Sequence, residues 1–320
     1  MIRLLHPPVF QGSLNKKSYF EGWYVKCLYD DLMSSVAFIP GVSLSRDRHA
    51  FIQINTSDGV TKYVKYPIMD FDYSPNNFDI RIGNNRFNAE GVHLSIDVPG
   101  LSLHGDLTFE DVHPFPSTFI APGIMGWFTY VPFMECYHGV VSMRHRIRGK
   151  LQFNENEHVF KNGIGYIEKD WGRSFPESWI WMQSNPFQNS DASFMLSVAR
   201  IPWMGSWFRG LIGFLYHDGK LERFATYRGH RTLSLDHDKN DLHIVIGGRG
   251  HSLRIHAETG SGNELVAPVN GIMHRSMKES LNAFLHVELR DKMNRVLFDD
   301  SSYIAGLEIS GNMEHLFKKR

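Results

Sequence analysis

Residues 165–187, GYIEKDWGRSFPESWIWMQSNPF, gather three of the chain's seven tryptophans around paired carboxylates and a glycine-to-proline bend. A strand's two-residue period places Tyr166, Glu168 and Asp170 on one face and Ile167, Lys169 and Trp171 on the other. Gly172 to Pro176 then turns the chain. Beyond it, Trp179, Trp181, Gln183 and Asn185 share one face while Ile180, Met182 and Ser184 share the opposite one. The stretch reads as a β-hairpin lining a pocket. A face of two indoles and two amides is wrong for a dry core, because a buried amide without a partner costs about 1–3 kcal/mol. It suits a cavity holding a flat, mostly apolar ligand with a polar end.

Glu168 and Asp170 are expected side by side, about 7 Å apart along the strand. Burial beside a second carboxylate favours the protonated acid, so one of the pair is a candidate proton donor near neutrality. The competing reading is a structural ion-pair cluster in which Lys169, Arg173 or Lys26 neutralises these acids.

Working outward, the 320 residues carry 23 Phe, 12 Tyr and 7 Trp, with 28 glycines and 14 prolines punctuating short alternating runs. About twenty such runs, from Ser18–Leu28 to Ser302–Ile309, read as strands, and turns such as His217-Asp218-Gly219 and Asp58-Gly59 join them. The expected fold is all-β, antiparallel barrels or sandwiches. That many strands exceed one barrel, so two packed β domains are expected, residues 1–152 and 153–320, with Asn154-Glu155-Asn156-Glu157 marking the division. Helix is confined to Ser276–Ala283, read as a short helix or a bent lead-in to a strand, and the tail Gly311–Arg320 is read as a frayed terminus.

Thirty-four basic residues balance 34 acidic ones, so no global field favours nucleic acid. Cys27 and Cys136 are too few for a disulfide framework and read as free thiols. The start MIRLLHPPVFQG lacks the apolar centre of a secretory signal, and no uncharged run long enough to span a bilayer escapes proline, so a cytoplasmic protein is expected. Phe115–Met134 carries no charge, but its prolines at 116, 122 and 132 forbid a regular helix; it reads as a loop tucking apolar side chains against a barrel. Trp127 in that loop, with Trp203 and Trp207 in IPWMGSWF (201–208), reads either as packing or as a rim touching membrane lipid while a lipophilic substrate enters.

Several of these runs together resemble the tocopherol cyclase family. Lys17-Ser18-Tyr19-Phe20-Glu21-Gly22-Trp23-Tyr24 resembles its FEGWYF signature, and Glu168-Lys169-Asp170-Trp171-Gly172 with Phe175-Pro176, Trp179, Trp181, Gln183 and Asn185 resembles its EKNWG block. Asp170 stands where the plant-type block carries Asn, and Arg173 replaces a second glycine. Weaker similarity runs through 217–220, 255–268 and 285–311. The resemblance implies two lipocalin-like β domains and closure of a chromanol ring, by protonation of a prenyl double bond and capture of the cation by a hydroquinone hydroxyl, with no redox cofactor. Indole faces suit that chemistry, since each stabilises positive charge by about 1–2 kcal/mol.

The candidate catalytic residues are therefore Glu168 and Asp170, and the candidate substrate-binding residues are Glu21, Trp23, Tyr24, Glu135, His138, Trp171, Trp179, Trp181, Gln183 and Asn185. Glu21 reads equally as a partner of Lys26 or Arg46. Glu135 and Tyr137 are expected on a face opposite Cys136 and His138, with Glu135 or His138 orienting a hydroxyl. No metal is expected, because pairs such as His138 with His145 or His251 with His256 lack ligand spacing. Gly247-Gly248-Arg249-Gly250 reads as a hairpin turn rather than a phosphate loop. The leading expectation is an isomerase that cyclises a prenylated hydroquinone or related isoprenoid; the alternative is a carrier that binds a quinone, carotenoid or lipid without turning it over.

Overall fold

In the computed structural model, which describes residues 2–185 and 187–317, strand follows strand along nearly the whole chain. Two compact units result, one of residues up to 175 with 265–276, the other of residues 176–264 with 277 onward.

Unit 1 contains β1 (Tyr19–Leu28), β2 (Ser35–Leu44), β3 (His49–Thr56), β4 (Thr61–Pro67), β5 (Phe71–Tyr73), β6 (Asp79–Ile82), β7 (Asn85–Asn88), β8 (Gly91–Val98), β9 (Leu101–His113), β10 (Cys136–Phe153) and β11 (Asn156–Gly172). They form one antiparallel sheet in the order β4-β3-β2-β1-β11-β10-β9-β8-β7-β6-β5. Its two edges, β4 and β5, are consecutive in sequence and joined by the single turn Ile68–Asp70, so the sheet curls towards a closed barrel. Trp23, Val25, Phe38, Ile52, Phe87, Leu94 and Leu103 fill the interior.

The second sheet is built from β12 (Trp179–Ser184), β13 (Ser193–Trp203), β14 (Ser206–His217), β15 (Lys220–Ala225), β16 (Arg231–Asp238), β17 (Asp241–Gly248), β18 (His251–Glu258), β19 (Gly262–Val269), β20 (Ile272–Asp291) and β21 (Val296–Ser310), all in unit 2 except residues 265–276 of β19 and β20, which belong to unit 1. The order is β15-β14-β13-β12-β21-β20-β18-β17-β16, with β19 pairing β20. The plan repeats that of unit 1. First strand pairs last, and the edges β15 and β16 are again consecutive, joined by Thr226–Arg228. Ile180, Met182, Phe194, Leu196, Ile255, Leu285 and Leu307 form its core.

The all-β antiparallel expectation holds, and so do the turns. Asp218-Gly219 and Arg249-Gly250 have positive φ at both residues, the twist that tight hairpins need. Cys27 and Cys136 are free.

The hairpin expected across Gly172 does not form. β11 pairs with β1 and β10, whereas β12 pairs with β13 and β21. The backbone groups of the bend are committed elsewhere: the N–H groups of Arg173 and Ser174 donate to Glu135 O, and that of Phe175 donates to Pro268 O. The division expected at 152/153 falls at the last residues of β10, whose ladder with β11 from Phe153↔Asn156 to Cys136↔Gly172 keeps both strands in one sheet. Ser276–Ala283 lies within β20, bent by register shifts near Ser280 and Ala283 rather than helical. The tail forms a short helix, α1 (Met313–Phe317), anchored by buried Leu316; residues 318–320 of the expected frayed end lie outside the described residues.

In β6 to β8, buried and exposed positions largely alternate, as for a sheet with one solvated face. By contrast, β1, β2, β3 and β12 are buried on both faces. The second, non-core face of these strands is where polar side chains are sheltered from water.

Candidate active site

The register of β1 against β11 pairs Glu21 with Trp171, Trp23 with Lys169 and Tyr24 with Glu168. Odd-numbered residues of both strands therefore point into the barrel and even-numbered ones to the opposite face. On the interior face Lys169 Nζ lies 2.6 Å from Glu21 Oε1, both side chains fully buried. The ammonium also donates to Pro7 O at 2.7 Å and to Val9 O, and lies 4.9 and 4.8 Å from the Trp23 and Trp171 rings. Glu21 accepts from the backbone N–H groups of Gln11 and Gly12 and from Tyr19 Oη. Trp23 Nε1 donates to Pro8 O at 2.9 Å, and Trp171 stacks on Tyr137 at 5.5 Å. Every strong polar group here has partners inside the protein. The arrangement clasps residues 7–12 to the sheet, so Glu21 pairs with Lys169 rather than with Lys26 or Arg46.

The opposite face of β10 and β11 is different in kind. His138 Nδ1 lies 2.9 Å from Asp170 Oδ1, and its Nε2 lies 3.4 Å from Glu168 Oε2. Tyr166 Oη donates to Glu168 Oε2 at 2.7 Å, and the Cys136 thiol reaches Asp170 Oδ1 at 3.7 Å. Burial opposes the charge of His138, but the carboxylates of Asp170 and Glu168 outweigh it and hold the imidazole well above its ordinary range. Burial, reinforced by Glu168, pushes the Tyr166 hydroxyl well up, and burial with Asp170 does the same to the Cys136 thiol. The result is an imidazolium held between two carboxylates. Asp170 is its open end, with 24% of the side chain exposed against 6% for Glu168. His138 Nε2 is buried and makes no hydrogen bond of good geometry.

In unit 2, Trp179, Trp181, Gln183 and Asn185 share the non-core face of β12, all buried, while Ile180 and Met182 enter the core. Trp179 Nε1 donates to Glu308 Oε2 at 2.7 Å, and Gln183 Nε2 donates to Asn185 Oδ1 at 2.7 Å. The Gln183 carbonyl oxygen is buried without a hydrogen bond. Gly306 makes this face possible: a Cβ there would lie 2.8 Å from the Trp181 ring.

Residues 107–311 match the family described as tocopherol cyclase-like. The chain belongs to the tocopherol cyclase-like family. A chloroplastic tocopherol cyclase of Zea mays is 27% identical over 199 residues, which cover 58% of this chain and 41% of that protein. The chain thus spans about two fifths of this relative's own length. Among solved structures, CghA with Sch210972 aligns at a TM-score of 0.57 with 12% identity, covering 92% of this chain and 89% of that one. Kievitone hydratase from Nectria haematococca aligns at 0.50 with 11% identity, covering 96% and 94%. These likenesses establish the fold.

Within the tocopherol cyclase-like chain, the two signature blocks are strand partners: Glu21 of the first and Lys169 of the second form the buried ion pair. Glu168, Asp170, His138 and Tyr24 come to one face, and Glu21, Trp23 and Trp171 to the other. Glu135 is exposed, and its carbonyl oxygen accepts the N–H groups of Arg173 and Ser174 in the bend. Tyr166 was not singled out from the sequence as a site residue; its place on the Glu168 face was the available signal. Spacing along the chain also hid a possible ligand set, since the ligand atoms of His138, Glu168 and Asp170 all lie within 4.8 Å of one another across two strands. Protonation of His138 and ligation of a divalent ion compete for the same ring nitrogens.

Proposed function

We propose that the protein is an isomerase that closes a ring on a prenylated hydroquinone by acid catalysis, with Asp170 as proton donor, His138 as its charge partner and Glu168 as the group that holds His138. The observation carrying this reading is the His138 ring set between the carboxyl groups of Asp170 at 2.9 Å and Glu168 at 3.4 Å. Family membership supports the reaction class.

In the forward step, the His138 imidazolium passes its proton to Asp170 Oδ1, which delivers it to one carbon of the prenyl double bond, breaking the π bond and leaving a tertiary cation. The Asp170 carboxylate that remains faces the cation, and the neutral His138 ring is ready to take the proton back. Glu168, fixed by Tyr166, keeps the imidazolium in place. A hydroquinone oxygen then adds to the cation, forming the ring C–O bond, and its proton returns to Asp170. No atom or electron is gained or lost, so the step is an isomerisation without an external oxidant or reductant.

Trp179, Trp181, Gln183 and Asn185 are assigned to ligand binding on their own face, the indoles contacting apolar carbon and the Gln183 carbonyl oxygen accepting a hydrogen bond from a hydroxyl. Exposed Phe119, Ile120, Trp127 and Phe133 are assigned to contact with the lipid that holds so apolar a substrate, whereas Trp203 and Trp207 are half-buried.

Incubation of the purified protein with a prenylated hydroquinone tests the reading. Ring-closed product from wild type and its loss in D170N, with ligand affinity retained, supports it. Saturable binding by wild type without product makes the protein a carrier instead.

A further inference from the structure

We propose that Asp241, His243 and His256, with Glu258 closing the set, form a binding site for a divalent transition-metal ion on the sheet of unit 2. β17 and β18 run antiparallel with His243 opposite His256 and Asp241 opposite Glu258, so the four side chains make a two-by-two square on one face. The two imidazoles are parallel, with ring centres 4.4 Å apart. His256 Nε2 lies 3.0 Å from Asp241 Oδ1 and 3.7 Å from Glu258 Oε1. Ligand atoms of Asp241, His243 and His256 all lie within 4.8 Å of one another.

The register that builds this square is held by the whole β17–β18 ladder, so the ligand backbone is fixed before any ion arrives. Two nitrogens bound to one tetrahedral zinc at about 2.0–2.1 Å lie about 3.3 Å apart, a spacing within reach of side-chain rotation alone. Without a cation the square sets two carboxylates directly opposite each other, an arrangement that is unfavourable on a sheet. A divalent ion reverses the sign of that interaction. Two imidazole nitrogens and carboxylate oxygens suit zinc, copper or nickel rather than calcium or magnesium, which take oxygen ligands. His243 and Asp241 also line an open groove with Asp236 and Asp238, which gives an ion access from solvent.

His286 continues the same cross-strand row beside His256, but its ring is engaged by Ser301 Oγ at 3.0 Å and Asp299 Oδ1 at 3.3 Å. It serves as the control. The His138 cluster is a separate candidate ligand set, and the variants distinguish the two.

Calorimetric titration of the chelator-stripped protein with zinc chloride tests the site. Expected are saturable binding to wild type, a loss of affinity of at least about 100-fold in H243A and in H256A, and retention in H286A and H138Q. Copper(II) spectra of wild type are expected to show hyperfine coupling to two nitrogens, reduced to one in H256A. No saturable zinc binding below millimolar concentration overturns the proposal, and so does binding that survives both H243A and H256A unchanged.

Discussion

Lys169 and His138 stand on opposite faces of one pair of strands: the lysine is sealed against Glu21 at 2.6 Å in the barrel, and the histidine meets Asp170 at 2.9 Å on the other side. β11 therefore carries one member of each pair at adjacent positions, Lys169 of the structural one and Asp170 of the candidate chemical one. Their responses to substitution should differ accordingly.

Removing one member of the interior pair leaves an uncompensated charge where no water reaches. E21Q or K169M is expected to lower stability by about 3–5 kcal/mol, read by urea denaturation. A loss below 1 kcal/mol in both contradicts the clasp.

The interior pair also predicts a pH effect. Burial lowers Lys169 from 10.5 to about 8, against the pull of Glu21. Between these values the unfolded chain binds a proton that the folded chain has shed, so stability from this group rises with pH across the window and is lowest below about 8. K169M should lack this slope in unfolding curves taken from pH 8 to 10.

His138 has the opposite sign. Its folded value is raised well above 6.5 by Asp170 and Glu168 despite burial. Its contribution to stability is complete below the unfolded value and is lost as pH rises through the folded one. Imidazole resonances should show one histidine still protonated at neutral pH, missing in H138Q. A His138 ring that titrates at or below 6.5 contradicts the assignment.

Much of this was legible in the chain itself. The two-residue period correctly separated Glu168 and Asp170 from Lys169 and Trp171, and Trp179, Trp181 and Gln183 from Ile180 and Met182, because side-chain alternation is a local property of any strand. Pairing is not local. Nothing within residues 165–187 shows that β11 joins β1 and β10 while β12 joins β13 and β21, since those ladders depend on partners up to about 150 positions away. His138 illustrates the same limit: it is 32 residues from Asp170 in sequence and becomes its neighbour only through the β10–β11 register.

Gly306 offers a test of the unit 2 face. An added methyl would meet the Trp181 ring at 2.8 Å, so G306A is expected to shift tryptophan emission and lower stability by about 1–3 kcal/mol through crowding. Emission and stability identical to wild type contradict the tight seating of Trp181 beside this glycine.

Proton transfer from Asp170 to carbon is the central claim, and turnover in deuterium oxide reads it directly. The ring-closed product of the wild-type protein is predicted to carry one carbon-bound deuterium at the former double bond, with D170N forming no product. Product free of carbon-bound deuterium, or equal labelled product from D170N, contradicts it.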